Sequence, residues 1–300
     1  MGKTATERTV ERLVTAHRQR EGAGFVVRRP FPTYGFEMAN PFLLLDEMGP
    51  ADYGPGEAVG APDHPHRGFE TVTYLLEGEF EHEDSAGHRG ALGPGDVQWM
   101  TAGDGVVHSE MPSARLRAEG GRLHGFQIWV NLPARAKRMP PRYQEVPASR
   151  IPAASTEDGR VQVRVIAGEA LGTRAVIETV IPIIYQDWKL SPGSEVVQPV
   201  AAELAAYVYV YQGSVQVSAD GRKVSAGQLA VLGPGTEVRL AGAAESKEPG
   251  RLLLLAGKPL DEPVARYGPF VMNTEQEISE AIDDYRRGRL GVISRASASH

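Results

Sequence analysis

The sequence predicts an all-β protein made of two similar β-barrels followed by a short C-terminal helix. Glycine and proline are frequent and spread along the chain, with 34 and 22 residues among 300. They separate short runs in which apolar and polar residues alternate, a pattern typical of a barrel or sandwich. The same order of strands and glycine turns occurs twice along the chain, which predicts a duplicated domain.

Composition limits the classes of function. A hydrophobic content of 41% and a charged content of 23% are those of a soluble globular protein. The net charge of -6 argues against direct binding to nucleic acid. The absence of cysteine excludes disulfides, thiolate nucleophiles and iron–sulfur clusters. No apolar run is long enough for a membrane span, and no secretory signal is recognisable, so we expect a cytoplasmic location.

The first barrel is expected over residues 1–140. Residues 4–20 fit either an amphipathic helix or a strand, because apolar pairs alternate with charges there. Residues 40–46 predict a buried strand, and the loop at 48–63 that follows is a candidate lid. Further strands are predicted at 69–76, 79–84, 87–91, 97–100, 106–111 and 122–132.

The second barrel is expected over residues 141–300, after a proline-rich crossing that begins at residue 133. A helix is predicted at its end because Thr274 and Glu277 have the spacing of a capping box. An apolar stripe predicts that this helix packs on a barrel rather than binding a partner. The stripe comprises Ile278, Ala281, Ile282 and Tyr285.

The internal repeat is weak in identity but regular in its turns. The segment 74–78 (YLLEG) corresponds to 209–213 (YVYQG), and 92–97 (LGPGDV) corresponds to 224–229 (VSAGQL). Each segment places a glycine turn at the same point of the strand order. The repeat therefore allows residues of one half to be compared with those of the other.

Two short pairs of side chains in the first half predict a metal site. His64 and His66 are two positions apart just before a strand, and His108 and Glu110 have the same spacing later. In an extended chain, residues two positions apart point to the same side. Each pair can therefore direct both donors to one point, and the two pairs together form a four-ligand shell.

The repeat assigns this site to the first barrel alone. Counting forward by the offset of the aligned turns gives Pro199 and Ala201 opposite the first pair, and Leu240 and Gly242 opposite the second. None of these residues can bind a metal, so we expect the second barrel to be metal-free.

Three neutral imidazoles and one carboxylate suit a divalent first-row ion. We expect iron(II), with manganese, nickel, copper, cobalt and zinc as alternatives. A barrel site of this kind leaves one or two coordination positions open, as dioxygen or hydrolytic chemistry requires.

Other candidate residues receive more ordinary interpretations. His82 and His88 flank a hairpin tip and are expected to be solvated, and Arg67 is expected to be a rim charge. His124 has the parity of an inward-facing residue, which makes it a candidate for contact with the ligand shell. Four large side chains are expected in the core rather than around a substrate: Trp99, Met100, Phe126 and Trp129.

Four segments resemble a known family. Residues 64–78 (HPHRGFETVTYLLEG) resemble the first cupin motif in its pirin form, and residues 95–103 with 107–111 resemble the second. Residues 124–133 and 267–274 are similar to further pirin segments. The resemblance implies a bicupin, two cupin-type barrels in one chain, with an iron-type metal in the N-terminal barrel. The residues that match the family's ligands are His64, His66, His108 and Glu110.

The resemblance also implies two alternative functions. The first is a quercetin 2,3-dioxygenase, in which a flavonol would bind the metal, Glu110 would take its hydroxyl proton, and dioxygen would cleave the ring with release of carbon monoxide. The second is a metal- or redox-responsive regulatory protein that binds a protein partner, either as a transcriptional co-regulator or as a modulator of metabolic enzymes. An open site with mixed ligands favours the enzyme.

Overall fold

The computed structural model describes residues 5–295, so residues 1–4 and 296–300 of the two predicted barrels lie outside it. The strands of its first half are β1 (Val10–Thr15), β2 (His17–Glu21), β3 (Phe25–Phe31), β4 (Phe42–Tyr53), β5 (Ala61–His66), β6 (Phe69–Glu77), β7 (Phe80–Asp84), β8 (Arg89–Leu92), β9 (Val97–Thr101), β10 (Val106–Pro112), β11 (Gly121–Asn131), β12 (Arg142–Val146) and β13 (Ala153–Ser155).

The strands of its second half are β14 (Val161–Ala167), β15 (Glu169–Ala170), β16 (Thr173–Arg174), β17 (Ile183–Leu190), β18 (Glu195–Pro199), β19 (Ala205–Gln212), β20 (Ser214–Val217), β21 (Arg222–Ser225), β22 (Gln228–Leu232), β23 (Glu237–Gly242), β24 (Gly250–Gly257), β25 (Ala265–Tyr267) and β26 (Phe270–Met272). The helices are α1 (Ala114–Glu119) and α2 (Glu275–Arg286), with single 3₁₀ turns at Ala134–Ala136 and Ala148–Arg150.

The strands form two sheet pairs with the same internal order, which confirms the predicted duplication. In one half a seven-stranded sheet has the order β12-β9-β6-β11-β4-β3-β2 and faces a four-stranded sheet β5-β10-β7-β8. In the other, the corresponding orders are β1-β22-β19-β24-β17-β14-β13 and β18-β23-β20-β21. Each pair is a barrel of two curved antiparallel sheets, so the all-β fold class is confirmed.

The chain divides into two compact units that do not coincide with the expected continuous segments 1–140 and 141–300. The first unit contains the residues up to His17, then Arg28–Phe42 and Ser149–Pro259. The second contains Arg18–Val27, Leu43–Ala148 and the described residues from Leu260 onward. The N-terminal strand β1 pairs with β22, and α2 belongs to the same unit as the histidine pairs. Pairing of sheet edges, rather than order along the chain, decides this division.

Several local predictions differ from the structure. The stretch at 4–20 is extended, forming β1 and β2, so its helical alternative was wrong. The loop predicted at 48–63 is largely strand, since β4 continues to Tyr53 and β5 begins at Ala61. The proline-rich crossing contains β12, which pairs with β9 and covers the edge of its sheet. Pro141 and Pro147 flank β12, whereas Pro50 lies within β4 and Pro62 and Pro65 lie within β5.

The C-terminal helix was predicted correctly. Thr274 caps α2, its hydroxyl accepting from the Glu277 backbone N–H, while the Glu277 carboxylate accepts from the Thr274 backbone N–H. Ile278 and Ala281 face inward and join an apolar cluster with residues of β10 and β26. No helix within the described residues is long and apolar enough to cross a membrane.

Candidate metal centre

Strands β5 and β10 bring three of the four predicted ligands together. They are antiparallel neighbours, and His64 lies directly opposite His108. The register shifts after His108, so Glu110 lies opposite Ala61. Side chains of directly opposite residues are about 5 Å apart on one face of a sheet. The pairing therefore places the imidazoles of both strands on one side of the sheet.

Three imidazoles converge at this point. The ligand atoms of His64, His66 and His108 all lie within 4.8 Å of one another. Their ring centroids are 4.3 to 4.9 Å apart. Within the described residues, this is the one group of three or more potential ligand side chains with donor atoms so close together.

Hydrogen bonds orient two of the three rings. His64 donates from Nδ1 to the carbonyl oxygen of Pro62 at 2.7 Å, and His66 contacts the carbonyl oxygen of Pro269 through Nδ1 at 3.4 Å. A proton held on Nδ1 leaves Nε2 with a lone pair, which is the form that binds metals. The backbone carbonyls thus select the tautomer that a ligand requires.

Burial keeps two of the three imidazoles, those of His66 and His108, neutral. His66 and His108 are buried, and burial together with the neighbouring imidazoles holds the pKa of each well below its usual range. Neither ring nitrogen of His108 has a hydrogen-bond partner among the described residues. A buried polar group without a partner is costly, and a bound cation would remove that cost. The donor set therefore fits a divalent metal ion.

Glu110 lies on the same strand but is not part of the three-histidine group. Its carboxylate accepts from the hydroxyl of Thr73 at 2.8 Å and from Nε2 of Gln127 at 3.2 Å. Both partners are central residues of the facing sheet, on β6 and β11. This arrangement holds the carboxylate in a fixed place on the histidine side of the barrel.

His82 was predicted to be solvated, and this prediction was wrong. Its side chain is buried, and its ring centroid lies 5.3 Å from that of His108. It shares strand parity with Phe80, an apolar residue that faces inward. That parity was the signal available in the sequence, and the nearby hairpin turn obscured it. His88 is exposed as predicted, with Nδ1 at 3.0 Å from Asp84.

The other candidates occupy different positions. His124 lies on the opposite face of β11 from Gln127 and forms a buried hydrogen bond with Glu47 at 2.9 Å, away from the ligand shell. Trp99, Met100 and Phe126 are fully buried core residues, as predicted. Trp129, by contrast, lies beside the histidines, with its ring centroid 5.2 Å from His66 and 4.4 Å from Phe69.

Arg67 is an internal residue and not a rim charge as expected. Its guanidinium is 3% exposed and donates to the backbone oxygen of Asp104 and to the carboxylate of Asp284 at 2.9 Å. Asp284 lies on α2, so the residue next to His66, one of the predicted ligands, is tied to the C-terminal helix. No local pattern indicates this contact, because the two residues are 217 positions apart.

A buried lysine connects the turn at Gly68, which follows His66, to strand β26. The ammonium group of Lys137 donates to the carbonyl oxygens of Gly68 at 2.8 Å and Val271 at 3.0 Å, and to Oδ1 of Asn131 at 2.7 Å. All three of its protons are used. Burial lowers the pKa of this ammonium group to about 8.

We expect replacement of Lys137 by Met to change how stability depends on pH. The folded group titrates at about 8 and the reference lysine at 10.5, so the unfolded chain binds more protons between these values. The free energy of unfolding of the wild type should therefore rise with pH relative to the variant, by about 3 kcal/mol over this range. Urea unfolding at about pH 7.5 and about pH 10 measures the difference. The exposed control Lys223→Met should give a pH profile of stability parallel to that of the wild type. A Lys137→Met profile that was also parallel to the wild type would contradict the lowered pKa of Lys137.

The corresponding strands of the other unit present no comparable group. There β18 pairs with β23, and their buried side chains are those of Val196, Gln198, Val238 and Leu240. Pro199 and Ala201, the counterparts obtained by counting, are exposed, so the simple offset does not reproduce the strand faces. These four buried positions carry three aliphatic residues and one amide, and none of them is a histidine or a carboxylate.

Two barrels with the same strand order, one of which contains a histidine cluster, define a bicupin with a candidate metal site. Comparison with known proteins agrees. The family models described as Pirin and as Pirin C-terminal cupin domain match residues 24–130 and 185–291. The chain belongs to the pirin family.

Relatives and solved structures extend over nearly the whole chain. A pirin-like protein of Solanum lycopersicum is 44% identical over 285 residues, which are 95% of this chain and 93% of that protein. Pirin of Homo sapiens is 45% identical, covering 93% of this chain and 92% of that protein. The crystal structure of quercetin 2,3-dioxygenase from Acinetobacter baumannii has a TM-score of 0.88 and 39% identity, covering 96% of this chain and 100% of the other.

Proposed function

We propose that this protein is a metal-dependent oxidoreductase of the quercetin 2,3-dioxygenase type, which cleaves flavonols with dioxygen. The observation that carries the proposal is the convergence of three imidazoles, two of them buried, with a carboxylate on the strand of His108 that accepts hydrogen bonds from the facing sheet. The high structural similarity to a protein named quercetin 2,3-dioxygenase supports the choice of reaction. In this proposal His64, His66, His108 and Glu110 hold the metal, and iron(II) is the ion.

The bound ion would supply Lewis-acid and redox chemistry for the substrate and dioxygen. The chain supplies the rest. Glu110, oriented by Thr73 and Gln127, receives the hydroxyl proton of the flavonol. The ring of Trp129, which packs on the fully buried Phe69, provides a partly exposed apolar surface beside His66 against which an aromatic substrate can pack.

The replacement Glu110→Gln tests the role of the carboxylate. The amide keeps the shape of the side chain but is not a base, so we expect quercetin turnover to fall by at least about 100-fold. The three histidines should still retain much of the iron. Oxygen uptake and carbon monoxide release on adding quercetin to iron-loaded protein give the turnover, and metal analysis gives the occupancy.

Glu119→Gln is the matched control, because Glu119 is an exposed carboxylate in the same unit. It should behave as the wild type. Turnover by Glu110→Gln equal to that of the control would remove Glu110 from the mechanism. A wild-type protein that binds iron but consumes no oxygen with quercetin would exclude the flavonol reaction and favour the metal-responsive regulatory protein.

A further inference from the structure

The unit without the histidine cluster has a concave groove on one of its sheets. The groove has a volume of about 870 Å³ and is lined by residues of β13, β14, β17, β19 and β24 together with Glu248 and Pro249. This volume is within the range of small-molecule sites. All of its lining residues belong to the unit that contains Ser149–Pro259.

The strand register places five polar side chains in one row across the groove. Neighbouring strands pair Ser155 with Gln162, Gln162 with Lys189, Lys189 with Arg251, and Arg251 with Gln212. Directly opposite residues point to the same face of a sheet at a spacing of about 5 Å. The row is therefore a continuous line of hydrogen-bonding groups with two cations at its centre.

Two like charges directly opposite each other oppose sheet stability. Lys189 and Arg251 are such a pair, and Arg164 adds a third cation one residue row away, opposite Asp187. Asp187 accepts from the hydroxyl of Tyr211 and from Arg251 at 3.1 Å, so it compensates one of these three positive charges. The lining has three cationic side chains and two carboxylates, Asp187 and the exposed Glu248. It therefore keeps an excess of positive charge, in a chain whose net charge is -6.

We infer that this groove binds a small organic anion, with its oxyanion group between Lys189 and Arg251. Ammonium and guanidinium groups form strong charge-assisted hydrogen bonds with phosphate and carboxylate oxygens. The amides of Gln162 and Gln212 extend the hydrogen-bonding row, and the apolar surfaces of Ala154, Val163 and Pro249 can contact the body of the ligand. The site is separate from the histidine cluster, so this inference does not depend on the proposed function.

Phenyl phosphate is a suitable probe because it joins an oxyanion to a small apolar body. Titration calorimetry on the full-length protein should show saturable binding with a dissociation constant on the order of 1 mM or lower. We expect Lys189→Gln and Arg164→Gln each to weaken binding about tenfold. Lys223→Gln, which removes an exposed cation elsewhere in the same unit, should leave binding unchanged. Phenol, which lacks the charge, should not bind measurably.

Two further measurements distinguish binding at this groove from misfolding and from binding at the histidine cluster. Lys189→Gln should unfold at the same or a higher temperature than the wild type, since it removes a like-charge pair, so its weaker binding would not reflect misfolding. His108→Ala should bind the probe as the wild type does, because the histidine cluster is not involved. Absence of saturation, binding of phenol, or equal affinity of Lys189→Gln and wild type would overturn the inference.

Discussion

Replacement of His108 by Ala should remove the metal and abolish flavonol turnover. His108 is the most enclosed of the three converging imidazoles and faces both His64 and His66. Loss of a residue that only supports a ligand typically costs 10- to 100-fold in metal affinity, so loss of a ligand should cost more than about 100-fold. Metal analysis after native purification and oxygen uptake with quercetin provide two independent measurements.

His88→Ala is the matched control for this variant. It removes an imidazole from the same barrel, but an exposed one whose Nδ1 forms a hydrogen bond with the carboxylate of Asp84. It should retain both metal and turnover. If His108→Ala bound as much metal as His88→Ala, the converging histidines would not be the binding site, whatever the turnover of either protein.

The convergence of the three histidines was predictable because strand parity is a local property. His64 and His66 needed only an extended backbone to face one side, and the register of β5 and β10 then brought His108 to them. The capping box of α2 was equally local, since Thr274 and Glu277 lie within one helical turn. Both features depend on spacing within a few residues, which the sequence displays directly.

The missed features depend on pairing between distant segments. The pairing of β1 with β22 depends on which sheet edge is open, which no local pattern records. The burial of Arg67 depends on a carboxylate of α2, far along the chain. His82 differs, because its parity with Phe80 was visible but was outweighed by the nearby turn. Non-local contacts therefore limit how much of the fold can be predicted from the sequence. Competing local signals limit how much of the site can be predicted.

Replacement of Gly68 by Ala should test how strongly β26 holds the turn that follows His66. Gly68 has φ +90°, and a Cβ there would lie 2.0 Å from the carbonyl oxygen of Val271. The loop and β26 would have to separate, which also disturbs His66 two positions earlier. We expect a loss of unfolding free energy of about 2 kcal/mol or more beyond the backbone strain itself, together with reduced iron content.

Gly87→Ala measures the backbone strain alone. Gly87 has φ +89°, nearly the same as Gly68, but no atom lies within 4 Å of the position of its Cβ. Its replacement should cost about 1–2 kcal/mol and leave the metal in place. Urea unfolding and metal analysis of both variants then isolate the effect of the steric contact with Val271. Equal costs and equal iron contents would mean that the loop binds metal without support from β26. A larger cost and a loss of iron in Gly68→Ala alone would make the C-terminal segment part of the metal centre's framework.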